Sequence, residues 1–197
     1  MKRGLMLVFA LVFTATFAFA QSTSEVDQYG NGNDADVNQT GANQETVVDQ
    51  DGNHNVVDVD QFTDNDGINK TDVMQTGNHN DADVEMTQDD PDNSKNTTYL
   101  DQQGNHNESF QYIDGHGDKA EGYQTGDRNE LTQRIGNPGG GDYGMSFRAD
   151  QVGSDNDAFQ QADGSAIRGV VDQQGNHNSA DQRLDGRAMG KYTTPGS

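Results

Sequence analysis

Small or apolar residues alternate with charged ones along short stretches of this chain, and the stretches return at a nearly regular interval. Ala35 and Val37 lie between Asp34, Asp36 and Asn38, Val57 and Val59 beside Asp58 and Asp60, and Ala82 and Val84 beside Asp81, Asp83 and Glu85. Ser109, Leu131, Ala158 and Ala180 open the same pattern further on. A period of two is that of a strand with one face inward and one outward. A second set of strands approaches Gln50, Gln75, Gln102 and Gln173, with Val48, Val73, Leu100 and Val171 two residues upstream.

Between the two kinds of strand stands one short pattern, QxGxxN. It runs from Gln28 to Asn33, Gln50 to Asn55, Gln75 to Asn80, Gln102 to Asn107, Gln124 to Asn129, Gln151 to Asn156 and Gln173 to Asn178, at spacings of 22, 25, 27, 22, 27 and 22 residues. A period in the twenties marks stacked supersecondary units. The central glycines, Gly30, Gly52, Gly77, Gly104, Gly126, Gly153 and Gly175, suit an arc that needs positive φ. A looser turn closes the repeat at Gly41, Gly115, Gly164 and Gly186. Strand, arc, strand, arc predicts an all-β chain folded as a two-sheet parallel β-solenoid of about seven rungs, spanning about 34 Å at the usual strand spacing. The rungs fall near 22–43, 44–68, 69–95, 96–117, 118–144, 145–166 and 167–197, with insertions at Asp64 to Gly67, Asp89 to Asn93 and Gly136 to Gly144 placed in the arcs.

In such a solenoid the repeated Gln and Asn fall on the inward row. A buried amide is costly unless paired, and identical amides one rung apart pair with one another in a ladder. The stacking residues are therefore Gln28, Gln50, Gln75, Gln102, Gln124, Gln151 and Gln173 together with Asn33, Asn55, Asn80, Asn107, Asn129, Asn156 and Asn178. Ladders enforce register, since a one-residue slip would turn every amide outward. The end rungs are open strand edges able to template another chain.

Composition changes this picture in two respects. Only 29% of the 197 residues are apolar, and without Lys2 and Arg3 the chain has 10 basic against 33 acidic residues, a net charge of −23. Such a chain cannot bury enough apolar surface to order itself as an ordinary globule, so order must come from stacking. The amino terminus is separate. Lys2 and Arg3 precede an apolar run from Leu5 to Phe19 that ends in Ala18-Phe19-Ala20, which reads as a secretory signal over 1–20 and leaves a repeat domain over 21–197 with no membrane span. There is no cysteine, hence no disulfide to support an exported chain.

Gln, then xGxxN, then Ala two residues later resembles the curlin repeat of curli fibre subunits. In that family a Ser lies six residues before the Gln and a second Gln four after the Ala, and the first repeat supplies Ser22, Gln28, Gly30, Asn33, Ala35 and Gln39. Later repeats depart. The Ser position holds Gln44, Asn69, Asn96, Asp118, Met145 and Ile167, and the second Gln persists only as Gln39 and Gln61 before Met86, Ile113, Ile135, Ala162 and Leu184 replace it. One amide ladder is thus expected to persist while the other turns apolar. The resemblance implies a secreted structural subunit of an extracellular functional-amyloid fibre for cell adhesion and biofilm matrix. It also implies partners: copies of the chain itself, a second curlin-like subunit, and outer-membrane export machinery. Family members carry an extra amino-terminal address segment for that export, whereas here only Gln21 precedes the first repeat.

Other chemistry is poorly represented. His54, His79, His106 and His177 share one arc slot, and the first three offer a metal-binding column as an alternative to plain repetition. No acidic or Cys ligand recurs in that arc, so no metal or other cofactor is assigned. Asp64 to Gly67 resembles part of an EF-hand loop, but Phe62 and Val73 stand where its first and last ligands belong. No GxSxG elbow, HExxH helix or Walker loop appears, which argues against an enzyme. So acidic a surface disfavours nucleic acid. The outward acids Asp34, Asp58, Asp81 and Asp157 are expected to lie near one another on successive rungs and to oppose association at low salt. Two alternatives remain open: a monomeric solenoid that binds a metal or surface ligand, and a fibre nucleator, to which the basic cluster Arg183, Arg187 and Lys191 would be suited.

Overall fold

The computed structural model describes residues 22–63, 67–88, 95–136, 144–164, 166–186 and 189–194, and every regular element among them is a β-strand. The signal reading over 1–20 and nearly all of the three insertions, including the EF-hand-like Asp64 to Asp66, lie outside the described residues. One sheet contains β1 (Thr23–Asn31), β3 (Gln44–Asn53), β5 (Ile68–Asn78), β7 (Lys95–Asn105), β9 (Lys119–Thr125), β11 (Ser146–Val152), β13 (Arg168–Gln174) and β15 (Met189–Thr194) in that spatial order. The other contains β2 (Asp34–Thr40), β4 (Val56–Thr63), β6 (Asp81–Gln88), β8 (Glu108–Asp114), β10 (Glu130–Gly136), β12 (Asp157–Gly164) and β14 (Ser179–Gly186). All neighbours within a sheet are parallel.

The chain alternates between the sheets, so β1 with β2 makes rung 1, β3 with β4 rung 2, and so on to β13 with β14 as rung 7. This is the two-sheet parallel β-solenoid that period-two alternation and a repeat in the twenties require. Register is uniform. Gln28 pairs with Gln50, Gln50 with Gln75 and Gln75 with Gln102, although the intervening spacings differ. The longer repeats therefore leave the ladders untouched.

The core is the slot between the sheets. Val48, Val73 and Leu100 from one sheet meet Val57, Val59, Ala82, Val84 and Met86 from the other, all at most 1% exposed. Large side chains are accommodated by small ones a rung away. A Cβ on Gly169 would come within 2.5 Å of the Phe147 ring, and one on Gly122 would come within 3.0 Å of Leu100 Cδ1. In a packed interior this exchange of volume between adjacent rungs preserves the strand spacing. Rung 1 is different: β1 is exposed along its whole length, because among the described residues no strand lies beyond it.

Candidate functional site

The site is a set of side-chain columns running along the solenoid axis. In the first, each Gln Nε2 donates to the Oε1 of the next rung: Gln28 to Gln50 (2.6 Å), Gln50 to Gln75 (2.9 Å), Gln75 to Gln102 (2.8 Å), Gln102 to Gln124 (2.9 Å), Gln124 to Gln151 (3.0 Å) and Gln151 to Gln173 (2.9 Å). The second Nε2 hydrogen crosses to the opposite sheet. Gln50 donates it to the Asp34 carbonyl, Gln75 to Val56, Gln102 to Asp81, Gln124 to Glu108, Gln151 to Glu130 and Gln173 to Asp157. The column thus joins rungs along the axis and sheets across it, with the amide hydrogens of these buried residues satisfied.

Asn33, Asn55, Asn80, Asn107, Asn129, Asn156 and Asn178 form the second column. Each Oδ1 accepts the backbone N–H of the next Asn, as Asn55 N to Asn33 (3.0 Å) and Asn107 N to Asn80 (3.1 Å) show. Each Nδ2 reaches a glycine carbonyl one rung on: Asn33 to Gly52, Asn55 to Gly77, Asn80 to Gly104, Asn107 to Gly126, Asn129 to Gly153 and Asn156 to Gly175. The last turns back within its own rung, Asn178 Nδ2 donating to the Gln174 carbonyl.

The arc glycines close the turn. Gly30, Gly52, Gly77, Gly104, Gly126, Gly153 and Gly175 have φ between 100° and 135°, and a Cβ on any of the first six would strike the carbonyl of the next glycine in the column. Both backbone conformation and axial spacing exclude a side chain there.

The other amide ladder turns apolar at its own position, as expected, but that sheet does not lose its amides. Gln39 Nε2 does donate to Gln61 Oε1 (3.0 Å), and Met86, Ile113, Ile135, Ala162 and Leu184 then occupy that column. But a new ladder begins two residues nearer the Asn, where rungs 1 to 3 carry Val37, Val59 and Val84. Gln111 donates to Gln133 (2.8 Å), Gln133 to Gln160 (2.8 Å) and Gln160 to Gln182 (2.9 Å). Inward positions repeat every two residues, so the amide has moved one place along the same face and exchanged with an aliphatic. The signal was in the sequence, because each of these glutamines stands four residues after its Asn. Gln111 Oε1, which faces Val84, is buried and has no partner.

A further ladder runs outside the first, also missed in the sequence. Asn31 donates to Asn53 (3.1 Å), Asn53 to Asn78 (2.8 Å), Asn78 to Asn105 (2.9 Å) and Asn105 to Asp127 (2.9 Å). Between it and the inner Asn column lie the histidines. His54, His79 and His106 are exposed, adopt left-handed backbone at φ 56° to 57°, and stack with ring centroids 5.0 Å apart. In the next rungs the slot holds Arg128 and Asp155, joined by two hydrogen bonds of 2.6 and 2.9 Å, before His177. Arg128 holds the Asp155 carboxyl below the usual range. Among the described residues no group of three His, Cys, Asp or Glu side chains is placed to hold a metal ion.

The acidic expectation also needs correction. Asp34 and Asp81 flank Val56 in one column, whereas Asp58 belongs to the neighbouring column with Asp36 and Asp83. Burial, then the neighbouring carboxylates, raise Asp58 and Asp83. One acid is inside. Asp118 continues the inward column of Gln44, Asn69 and Asn96 and is 1% exposed; its Oδ1 accepts the Met145 N–H (2.8 Å), while its Oδ2 has no hydrogen-bond partner. Burial pushes this carboxyl up to about 7, against the backbone N–H groups of Met145 and His116 that favour its charged form.

Residues 30–62 match the family model described as the curlin associated repeat. No curated protein and no solved structure matches the chain. The matched stretch includes Gln39 and Gln61, the part of the chain in which the second amide ladder keeps the family's position, and ends before Met86 replaces it. Residues 30–62 thus carry a curlin repeat, and the Gln and Asn columns that run through them continue on the later rungs.

Proposed function

We propose that the chain is a secreted structural subunit of an extracellular curli-like amyloid fibre, which grows by end-to-end addition of solenoid rungs and serves cell adhesion and biofilm matrix. The observation that carries this reading is the first rung. Its Gln28 and Asn33 stand at the head of ladders that run unbroken into the molecule, Gln39 heads a shorter one that ends at Gln61, and among the described residues its strand β1 has an open edge. An open parallel edge backed by amide ladders is a template for a further rung of the same kind. The family's known members are fibre subunits rather than enzymes, which supports a structural role. The outward carboxylates keep free chains apart until an end is available.

Electron microscopy and thioflavin fluorescence of the mature chain test this. Elongating unbranched filaments are expected, with a shorter lag at higher ionic strength as the carboxylate columns are screened. A solenoid that stays monodisperse at every salt concentration would refute the fibre reading and favour a monomeric binding module. Substoichiometric seeding of a second curlin-like subunit would identify a nucleator.

A further inference from the structure

The two ends of the solenoid are unequal. Among the described residues both sheets stop together at the amino-terminal end, with β1 and β2 as edge strands. At the other end one sheet extends a strand further than its neighbour: β15 lies on β13, while β14 is the last strand of its own sheet. β15 is a poor continuation of the columns. Its register sets Thr194 on the Gln column above Gln173, Gly190 above Gly169 and Tyr192 above Val171. Its described pairing with β13 runs to Gln173, one residue short of the Gln174 that β11 reaches on the other edge of β13.

β1 suits the same place better. With Gln28 over Gln173, Val26 falls on Val171, Gly30 on Gly175, Asn31 on Asn176 and Asn33 on Asn178, so these five columns of the sheet and its arc continue with their own residue type. Asp27 falls on Asp172, a juxtaposition the fold already contains at Asp27 and Asp49. Asn178, whose amide turns back to Gln174, gains the Gly30 carbonyl it lacks, as Asn156 has that of Gly175. The other sheet matches less well, since Val37 falls on Gln182 and Gln39 on Leu184. Recognition therefore resides in the sheet that β15 covers.

We propose that β15 is a displaceable cap, and that two copies join when β1 of one replaces β15 on β13 of the other, with Gln28 stacked on Gln173. The joint rests on the fibre reading for its purpose but has its own signature. In this register Tyr29 lies above Gln174, about 4.8 Å away along the axis, within disulfide reach. The chain has no native cysteine to confuse the result.

Two singly substituted chains, Tyr29→Cys and Gln174→Cys, are mixed under mild oxidation and the mixed disulfide is quantified. It is expected to form, to rise several-fold when Tyr192→Pro and Thr193→Pro are added to the Gln174→Cys chain, and to fall when Thr194→Gln is added instead. Consecutive prolines remove the β15 N–H facing β13 whichever of the two it is, whereas Gln at 194 would extend the ladder and hold the cap on. Filaments without the mixed disulfide would overturn the joint and leave the fibre reading intact. A mixed disulfide without filaments would support the joint and overturn the fibre reading. A yield indifferent to both β15 variants would overturn the cap, and absence of both filaments and disulfide would overturn both proposals.

Discussion

A single inward Gln makes three connections, and this sets what its loss costs. Gln102 accepts from Gln75, donates to Gln124 and donates across the slot to the Asp81 carbonyl. Leu fills nearly the same volume, so Gln102→Leu removes these bonds while keeping the packing. It leaves a Gln75 hydrogen and the Gln124 oxygen buried without partners, at about 1–3 kcal/mol each, or about 2–6 kcal/mol together. Urea unfolding should show a lower midpoint with little change in slope. An unchanged midpoint would mean that the ladder contributes register but not stability.

At the scale of the strand, the displaced amide ladder of β8, β10, β12 and β14 gives a sharper contrast. Every ladder of this kind has one acceptor at its head with no donor above it, here Gln111 Oε1 beneath Val84. Gln111→Leu only moves that orphan to Gln133, so it is expected to change stability by less than about 1 kcal/mol, whereas Gln133→Leu breaks the column in the middle and costs about 2–6 kcal/mol. Equal losses from the two substitutions, measured by the same unfolding curves, would dismiss this account. The strands themselves were legible in the sequence because period two and the recurrent QxGxxN act locally. The displaced ladder was harder to see, since Gln111, Gln133, Gln160 and Gln182 are an inward set only once the register is known. The same holds for the acids: Asp34 and Asp58 look equivalent along the chain but belong to different columns, because Val56 takes the place opposite Asp34.

For the whole molecule the balance of charge sets a pH dependence. Burial and neighbouring carboxylates raise Asp58, Asp83 and Glu130, and burial raises Asp118 furthest, to about 7. Between the unfolded values, near 3.8 for Asp and 4.5 for Glu, and these folded values the native state binds more protons than the unfolded chain, so this contribution is complete below the unfolded value and is lost as pH rises through the folded one. Asp127 and Asp155, held low by Asn105 and Arg128, act in the opposite sense, their contribution being lost as pH falls through their lowered values. The urea midpoint should accordingly fall from about pH 5 to about pH 8, and Asp118→Asn should flatten most of that fall. Added salt should recover the share due to the exposed columns but not the share due to Asp118, which lies where counterions do not reach. A slope that Asp118→Asn leaves intact would place the uptake elsewhere.

Repeats of 22, 25 and 27 residues keep one register, since their differences in length lie outside the paired strands. The rung is therefore a unit that can be copied or deleted whole: its neighbours need find only Gln, Gly and Asn at the expected places, and each copy lengthens the body by about 4.8 Å. Length in such a chain can change by duplication without redesign of the interior. The point where the amide changes column, between the third and fourth rungs, is then a seam at which two differently drifted series of copies meet.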